Sequence, residues 1–141
     1  MIRNLTGILA AAACVILAGC GAQGEAYQPI AIPASKSVIY IYRPYEVLSS
    51  QATPMITCGH ESIELEPGGY YAFVEDSGPV TCAAANDTKT EYKFDARAGE
   101  QYFIKEGVQS GALSTHTQFK LMNPAGGEEE IKECSRQGIK Q

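Results

Sequence analysis

The chain has 141 residues, with 11 Lys and Arg against 16 Asp and Glu, a formal net charge of −5 and no Trp. That length is one domain's worth of chain, enough for a real hydrophobic core. An acidic chain with no basic run carries no electrostatic footprint for nucleic acid, so that class of partner is excluded.

The N-terminus carries the strongest signal. Met1 to Asn4 contains Arg3, and Leu5 to Leu17 is an uncharged run of Leu, Ile and Ala. Leu17-Ala18-Gly19-Cys20 follows directly. A positive start, an apolar core of roughly 7–15 residues and small residues at a cleavage site describe a secretory signal. A spanning helix needs about 20 apolar residues, so this run is short for a permanent span. The last four residues resemble a bacterial lipobox. The resemblance implies a diacylglycerol thioether on Cys20, cleavage before it and acylation of the new amine. Residues 1–19 are then a signal peptide, and 20–36 a lipid-anchored tether containing Pro29 and Pro33. Losing Arg3 makes the remainder slightly more acidic, so the membrane contact expected is the lipid itself. Gly21 is not the Asp that in enteric bacteria retains such proteins in the inner membrane. The expected location is therefore membrane-anchored and periplasm-facing, on the outer membrane.

Cys58, Cys82 and Cys134 remain, in what is expected to be an oxidising compartment. Three is odd, so at most one internal bridge forms. Cys58 alternates with Ile56 and Cys82 with Val80 on strand-like segments, which favours a Cys58–Cys82 bridge facing the core. A bridge from Cys134 to either, or three free thiols, are the alternatives. There is no zinc spacing and no C-x-x-C.

Residues 37–134 are expected to form the domain. Ser37 to Arg43 is β-branched and aromatic, a strand covered on both sides or lined with tyrosines on one face. Short strands follow at Pro54–Cys58 and Ser62–Leu65 around Gly59-His60, then at Tyr70–Glu75 and Val80–Ala84. Asp76 to Pro79 is expected to be a hairpin connection. Glu91 to Ala96 alternates cleanly, with Tyr92, Phe94 and Ala96 opposite Glu91, Lys93 and Asp95. Ala98-Gly99 turns the chain into Glu100–Lys105, in an arrangement expected to be a register-fixing hairpin, and Gly107 to Thr115 is expected to be a polar loop. Thr117 to Met122 is the last strand. Asn123-Pro124 looks like an N-cap with Pro at the first helical position, ahead of a short C-terminal helix. Glu128, Glu129 and Glu130 are expected near its N-terminal end. Residues 135–141 are expected to be a polar tail. The whole predicts an all-β, single β-sandwich-like domain of seven or eight short antiparallel strands.

Val38 to Arg43, Glu66-Pro-Gly-Gly-Tyr70 and Ala98 to Ile104 occur in an order that resembles a family of small bacterial lipoproteins of unknown function, the DUF2846-type domain. The resemblance spans roughly Ser37 to Met122. It implies a lipobox followed by one β-sandwich, and it brings no catalytic residues. Gly59-His60 stands where that family's Asn-Gly or Asp-Gly turn is expected.

Chemistry-bearing residues are sparse. His60 and His116 are the only histidines, and a metal site would need both to converge with Glu61 or Glu64. Glu64, Glu66, Glu75 and Asp76 are the carboxylates from which a glycan-cleaving pair would come. Neither pattern is specific, so no catalytic residue, no metal and no cofactor beyond the acyl groups on Cys20 are expected. Tyr40 and Tyr42 share one strand face. If exposed they form a recognition surface; if covered they are core. The expected role is a lipid-anchored envelope protein whose non-catalytic domain binds another envelope component, a protein or a glycan. The alternatives are a cell-wall hydrolase and a structural or stress lipoprotein.

Overall fold

The computed structural model describes residues 24–45, 53–85, 90–110 and 115–137. Cys20, Gly21 and the Asn86-Asp87 turn lie outside them. The strands are β1 (Lys36–Tyr42), β2 (Met55–Cys58), β3 (Glu61–Glu64), β4 (Gly69–Asp76), β5 (Gly78–Ala85), β6 (Thr90–Ala96), β7 (Gln101–Ser110), β8 (Thr115–Met122) and β9 (Ser135–Arg136). One helix, α1 (Pro124–Ile131), precedes β9. They form an all-β sandwich of a five-stranded sheet, β8-β7-β1-β4-β9, and a four-stranded sheet, β3-β2-β5-β6.

β1 is the centre. Its alternate residues feed two cores because a strand sends successive side chains to opposite faces. Ile39 and Ile41 point between the sheets, where they meet Ile56, Ile63, Leu65, Phe73, Val80 and Ile104. Val38, Tyr40 and Tyr42 point to the outer face of the five-stranded sheet, among Tyr27, Tyr70, Phe103, Ile131 and Cys134. Tyr40 and Tyr42 are fully buried, so they are core residues and not a recognition surface. Pairing is mostly antiparallel, with two exceptions: β1 runs parallel to β7, and β4 parallel to β9. The parallel register puts Tyr40 opposite Phe103, and their rings stack at 5.1 Å.

Two connections expected as hairpins are crossings between sheets. β4 and β5 lie in different sheets, as do β6 and β7. Gly78 (φ 125°) and Gly99 (φ 80°) occupy the left-handed region at these corners, where a Cβ would be strained. Gly107 to Ser110 belongs to β7 and is not loop, because β8 pairs with it as far as Ser110↔Thr115.

The outer face of the five-stranded sheet is covered by the described segment that precedes β1 and by α1 with the residues after it. The segment expected as a free tether is packed from Gly24 onward. Tyr27 is buried in edge-to-face contact with Tyr40 and Tyr70, at 5.5 and 5.6 Å. The Ile30 N–H donates to Tyr40 Oη at 3.0 Å, and Ile30 and Ile32 rest on the same core. Residues 135–137 belong to the fold as well: Ala26 bridges Ser135, the Arg136 N–H donates to the Glu25 carbonyl, and Gln137 is buried. Asn123 caps α1 by accepting from the Gly126 N–H at 2.8 Å. Gly127 lies so close to Phe103 that a Cβ there would collide with its side chain, which explains a glycine inside this helix. The glutamates fall beyond the first turn of α1. Glu130 instead pairs with Lys105 at 2.8 Å and accepts from Tyr42 Oη at 3.1 Å.

Candidate functional site: the open face of the four-stranded sheet

The two outer faces of the sandwich are unequal. The N-terminal segment and α1 cover one, while the outer face of β3-β2-β5-β6 is not covered by any described residue. Alternation decides what it presents. On β5, Val80, Cys82 and Ala84 are buried inward, leaving Pro79, Thr81, Ala83 and Ala85 outward. β2 contributes Met55 and Thr57, and β6 contributes Glu91, Lys93 and Asp95. Register places Thr57 beside Ala83 and Ala83 beside Glu91. Small side chains at the centre leave a trough of about 460 Å³ lined by Thr57, Gly59, Thr81, Ala83, Ala84, Ala85 and Glu91. A smaller depression of about 230 Å³ continues past Thr81 between Pro79, Lys93 and Asp95. Beneath the floor, the Cys58–Cys82 disulfide joins β2 to β5 at a Cα separation of 4.1 Å. Thr57 and Ser62 exchange a hydroxyl hydrogen bond at 2.8 Å at the rim. The trough offers hydroxyls, methyl groups and a mixed-charge wall, which suits contact with an extended or flat partner and not proton transfer.

The acid–base candidates are spread out. His60, in the turn between β2 and β3, is 96% exposed, with Nδ1 3.7 Å from Glu75 Oε2. Asp76 is next in the chain; Lys36, 2.6 Å away, holds its carboxyl below the usual range through a hydrogen bond and charge. His116 is on β8, in the other sheet, opposite Gln109. Glu61 accepts from Tyr71 Oη at 2.9 Å, and burial followed by this carboxylate pushes the Tyr71 phenol up to about 12. Glu64 points outward from β3, and the Glu66 N–H donates to Gln137 Oε1. Among the described residues no group of three or more His, Cys, Asp or Glu is placed to hold a metal.

One charged pair escaped the sequence reading. Arg43 and Glu106 are both about 1% exposed and 3.2 Å apart, and Arg43 Nη1 also donates to the Leu65 carbonyl at 3.3 Å. Arg43 shares strand parity with Ile39 and Ile41, and Glu106 with Ile104, so the pair closes one end of the inter-sheet core. An arginine ending a hydrophobic strand looks like a solvated terminus in the sequence. Nothing local to Glu106 marks its partner.

Comparison with family models, curated proteins and solved structures finds no match for this chain. The three stretches that carry the lipoprotein resemblance lie on adjacent strands: Val38–Arg43 runs along β1, Glu66–Tyr70 leads into β4, and Ala98–Ile104 leads into β7.

Proposed function

We propose that this is a lipid-anchored envelope protein, acylated at Cys20, whose β-domain binds another envelope protein through the open face of the four-stranded sheet. The observation that carries the binding surface is the asymmetry of the sandwich. One face is sealed by an aromatic layer; the other is left uncovered by the described residues and is smoothed by Thr57, Thr81, Ala83 and Ala85. Small side chains let a partner backbone approach closely, and the flanking Glu91, Lys93 and Asp95 supply polar selectivity at the rim. The support for the anchor is the placement of Leu17-Ala18-Gly19-Cys20 directly after an apolar run. The trough is lined mainly by small side chains, with one imidazole–carboxylate pair, His60 and Glu75, at its Gly59 end and, among the described residues, no second carboxylate paired with it there, which favours binding over hydrolysis.

The test is in-cell photo-crosslinking from Thr81 and, as a control, from Lys132 at the C-cap of α1. A discrete adduct from Thr81 and none from Lys132 is the expected result. Ala83→Arg should abolish that adduct while changing stability by no more than about 0.5 kcal/mol, as an outward surface substitution does. An adduct that survives Ala83→Arg, or arises only from Lys132, would remove this face as the binding surface.

A further inference from the structure

The sequence alone allots 16 residues, Gly21 to Lys36, to a flexible tether. The fold takes most of them back. Among the described residues packing reaches back to Gly24, which abuts the Arg136 carbonyl, and is continuous through Glu25, Ala26 and Tyr27. Only residues 21–23 separate Cys20 from the folded body. Four Cα steps span at most about 14 Å. A compact domain of this size measures about 35 Å across. The anchor therefore cannot hold the domain at a distance, and it restricts which side faces the bilayer.

That side is identifiable. Arg136 pairs with Tyr70 at the start of β4, and Tyr70 with Tyr42 at the end of β1. The chain thus enters at the end of the sandwich formed by the last residues of β1, the start of β4 and β9. Tyr45 follows β1 directly and sits over the Pro67-Gly68 turn. Met55 lies at the same end: Pro54 accepts from the Leu65 N–H, and the Leu65 carbonyl accepts from Arg43. Among the described residues three large apolar side chains are exposed: Tyr45 at 52%, Leu121 at 40% and Met55 at 39%. Two of the three are at the end where the linker emerges. The third, Leu121, is on the edge strand β8.

We infer that this end of the sandwich rests on the bilayer interface, with Tyr45 and Met55 inserted at headgroup level and Arg136 reaching the lipid phosphates. The inference rests on the acyl-anchor reading above. Tyrosine is favoured at that depth because its ring is apolar and its hydroxyl stays hydrated. Arginine extends an apolar stem while its guanidinium remains among the headgroups. The opposite end, with Lys36, Asp76, His60 and Gly99, points into the aqueous phase. The open trough then stands roughly upright, along β5 from Ala85 near the membrane to Pro79 away from it.

The absence of native Trp makes the test direct. The variants Y45W, M55W and R97W place one indole at the proximal end, one beside it and one at the far end, where Arg97 is 79% exposed. Each acylated protein is purified from the native envelope and reconstituted into phosphatidylethanolamine–phosphatidylglycerol vesicles brominated near the headgroup. The expected result is that Y45W or M55W loses about half its emission or more while R97W keeps its own. Bromine lies within the interfacial layer and R97W stands about a domain's width above it. Intact mass of the same samples reports acylation. Acylated protein with equal quenching at both ends, or none at Y45W and M55W, overturns the orientation and leaves the anchor standing. Protein without acyl mass on Cys20 overturns the anchor, and the orientation with it.

Discussion

Tyr27→Ala tests whether the N-terminal segment is part of the fold or a tether. The Tyr27 side chain is buried and meets Tyr40, Tyr70 and Phe103 at centroid distances of 5.5, 5.6 and 6.4 Å, all edge-to-face. Truncating a buried aromatic residue costs about 3–5 kcal/mol, through lost transfer free energy and the cavity left behind. Each aromatic pair contributes about 0.5–1.5 kcal/mol beyond its area, so the upper half of that range applies. A domain's whole stability is about 5–15 kcal/mol. The expected consequence is a loss of a third or more of it, or about 10–20 °C or more in Tm. The assay is thermal and urea unfolding of the oxidised chain from residue 20 with Cys20→Ser, followed by near-ultraviolet circular dichroism. Hydrogen exchange adds a local readout, because the Ile30 N–H bonds Tyr40 Oη and should lose protection. A Tyr27→Ala loss below about 0.5 kcal/mol, the level of an exposed residue, would refute the reasoning.

Three further outcomes are expected. Burial, then the charges of Glu133 and Glu130, push the Cys134 thiol up to about 12 from an ordinary 9.0. It should resist a thiol reagent at pH 8 until the protein is unfolded. The folded state keeps a proton that the unfolded chain releases, so Cys134 adds nothing to the pH slope below pH 9. Above it, stability should fall by at most about 1.4 kcal/mol per pH unit, and a wild-type slope equal to that of Cys134→Ala would contradict this. Arg43→Met should cost about 3–5 kcal/mol because it leaves the Glu106 carboxylate inside, whereas Arg43→Met with Glu106→Leu should cost clearly less. Additive losses in that double-mutant cycle would remove the coupling. Gly99→Ala should cost about 1–2 kcal/mol for its positive φ alone. Gly59→Ala should cost more, because the new methyl also meets the Glu75 carboxylate; equal losses in chemical denaturation would show that the carboxylate simply moves aside.

What was legible in the sequence was whatever a short window encodes. The alternation of Glu91 to Ala96 and the Asn123-Pro124 cap both became the predicted elements. Partner choice was not legible. Ser77-Gly78 and Ala98-Gly99 carry turn chemistry that serves a hairpin and a sheet-to-sheet corner equally, because the turn does not specify which strand pairs next. Gly107 to Ser110 has loop composition and becomes strand because β8 supplies the pairing, a tertiary override of weak propensity. Tyr27, Ile30 and Ile32 show no period because a strap lying across a sheet has none. The trough was present as the alternation of Thr81, Ala83 and Ala85, but small outward residues look identical to indifferent surface until it is seen that no described element packs over them.

The parallel pairing of β1 with β7 has a kinetic consequence. β1 is the most buried strand, yet one of its two neighbours is separated from it in the chain by β2 through β6, and the strap over it closes only when Ser135 reaches Ala26. Loop-closure entropy must be overcome before any of these contacts stabilises the chain, which slows folding of topologies dominated by distant pairing. A chain that emerged N-terminus first could pair Val38 to Tyr42 with β4 once residue 76 had followed, but the other edge of β1 would stay open until β7 arrived. That interval leaves one edge of an aggregation-prone β segment exposed.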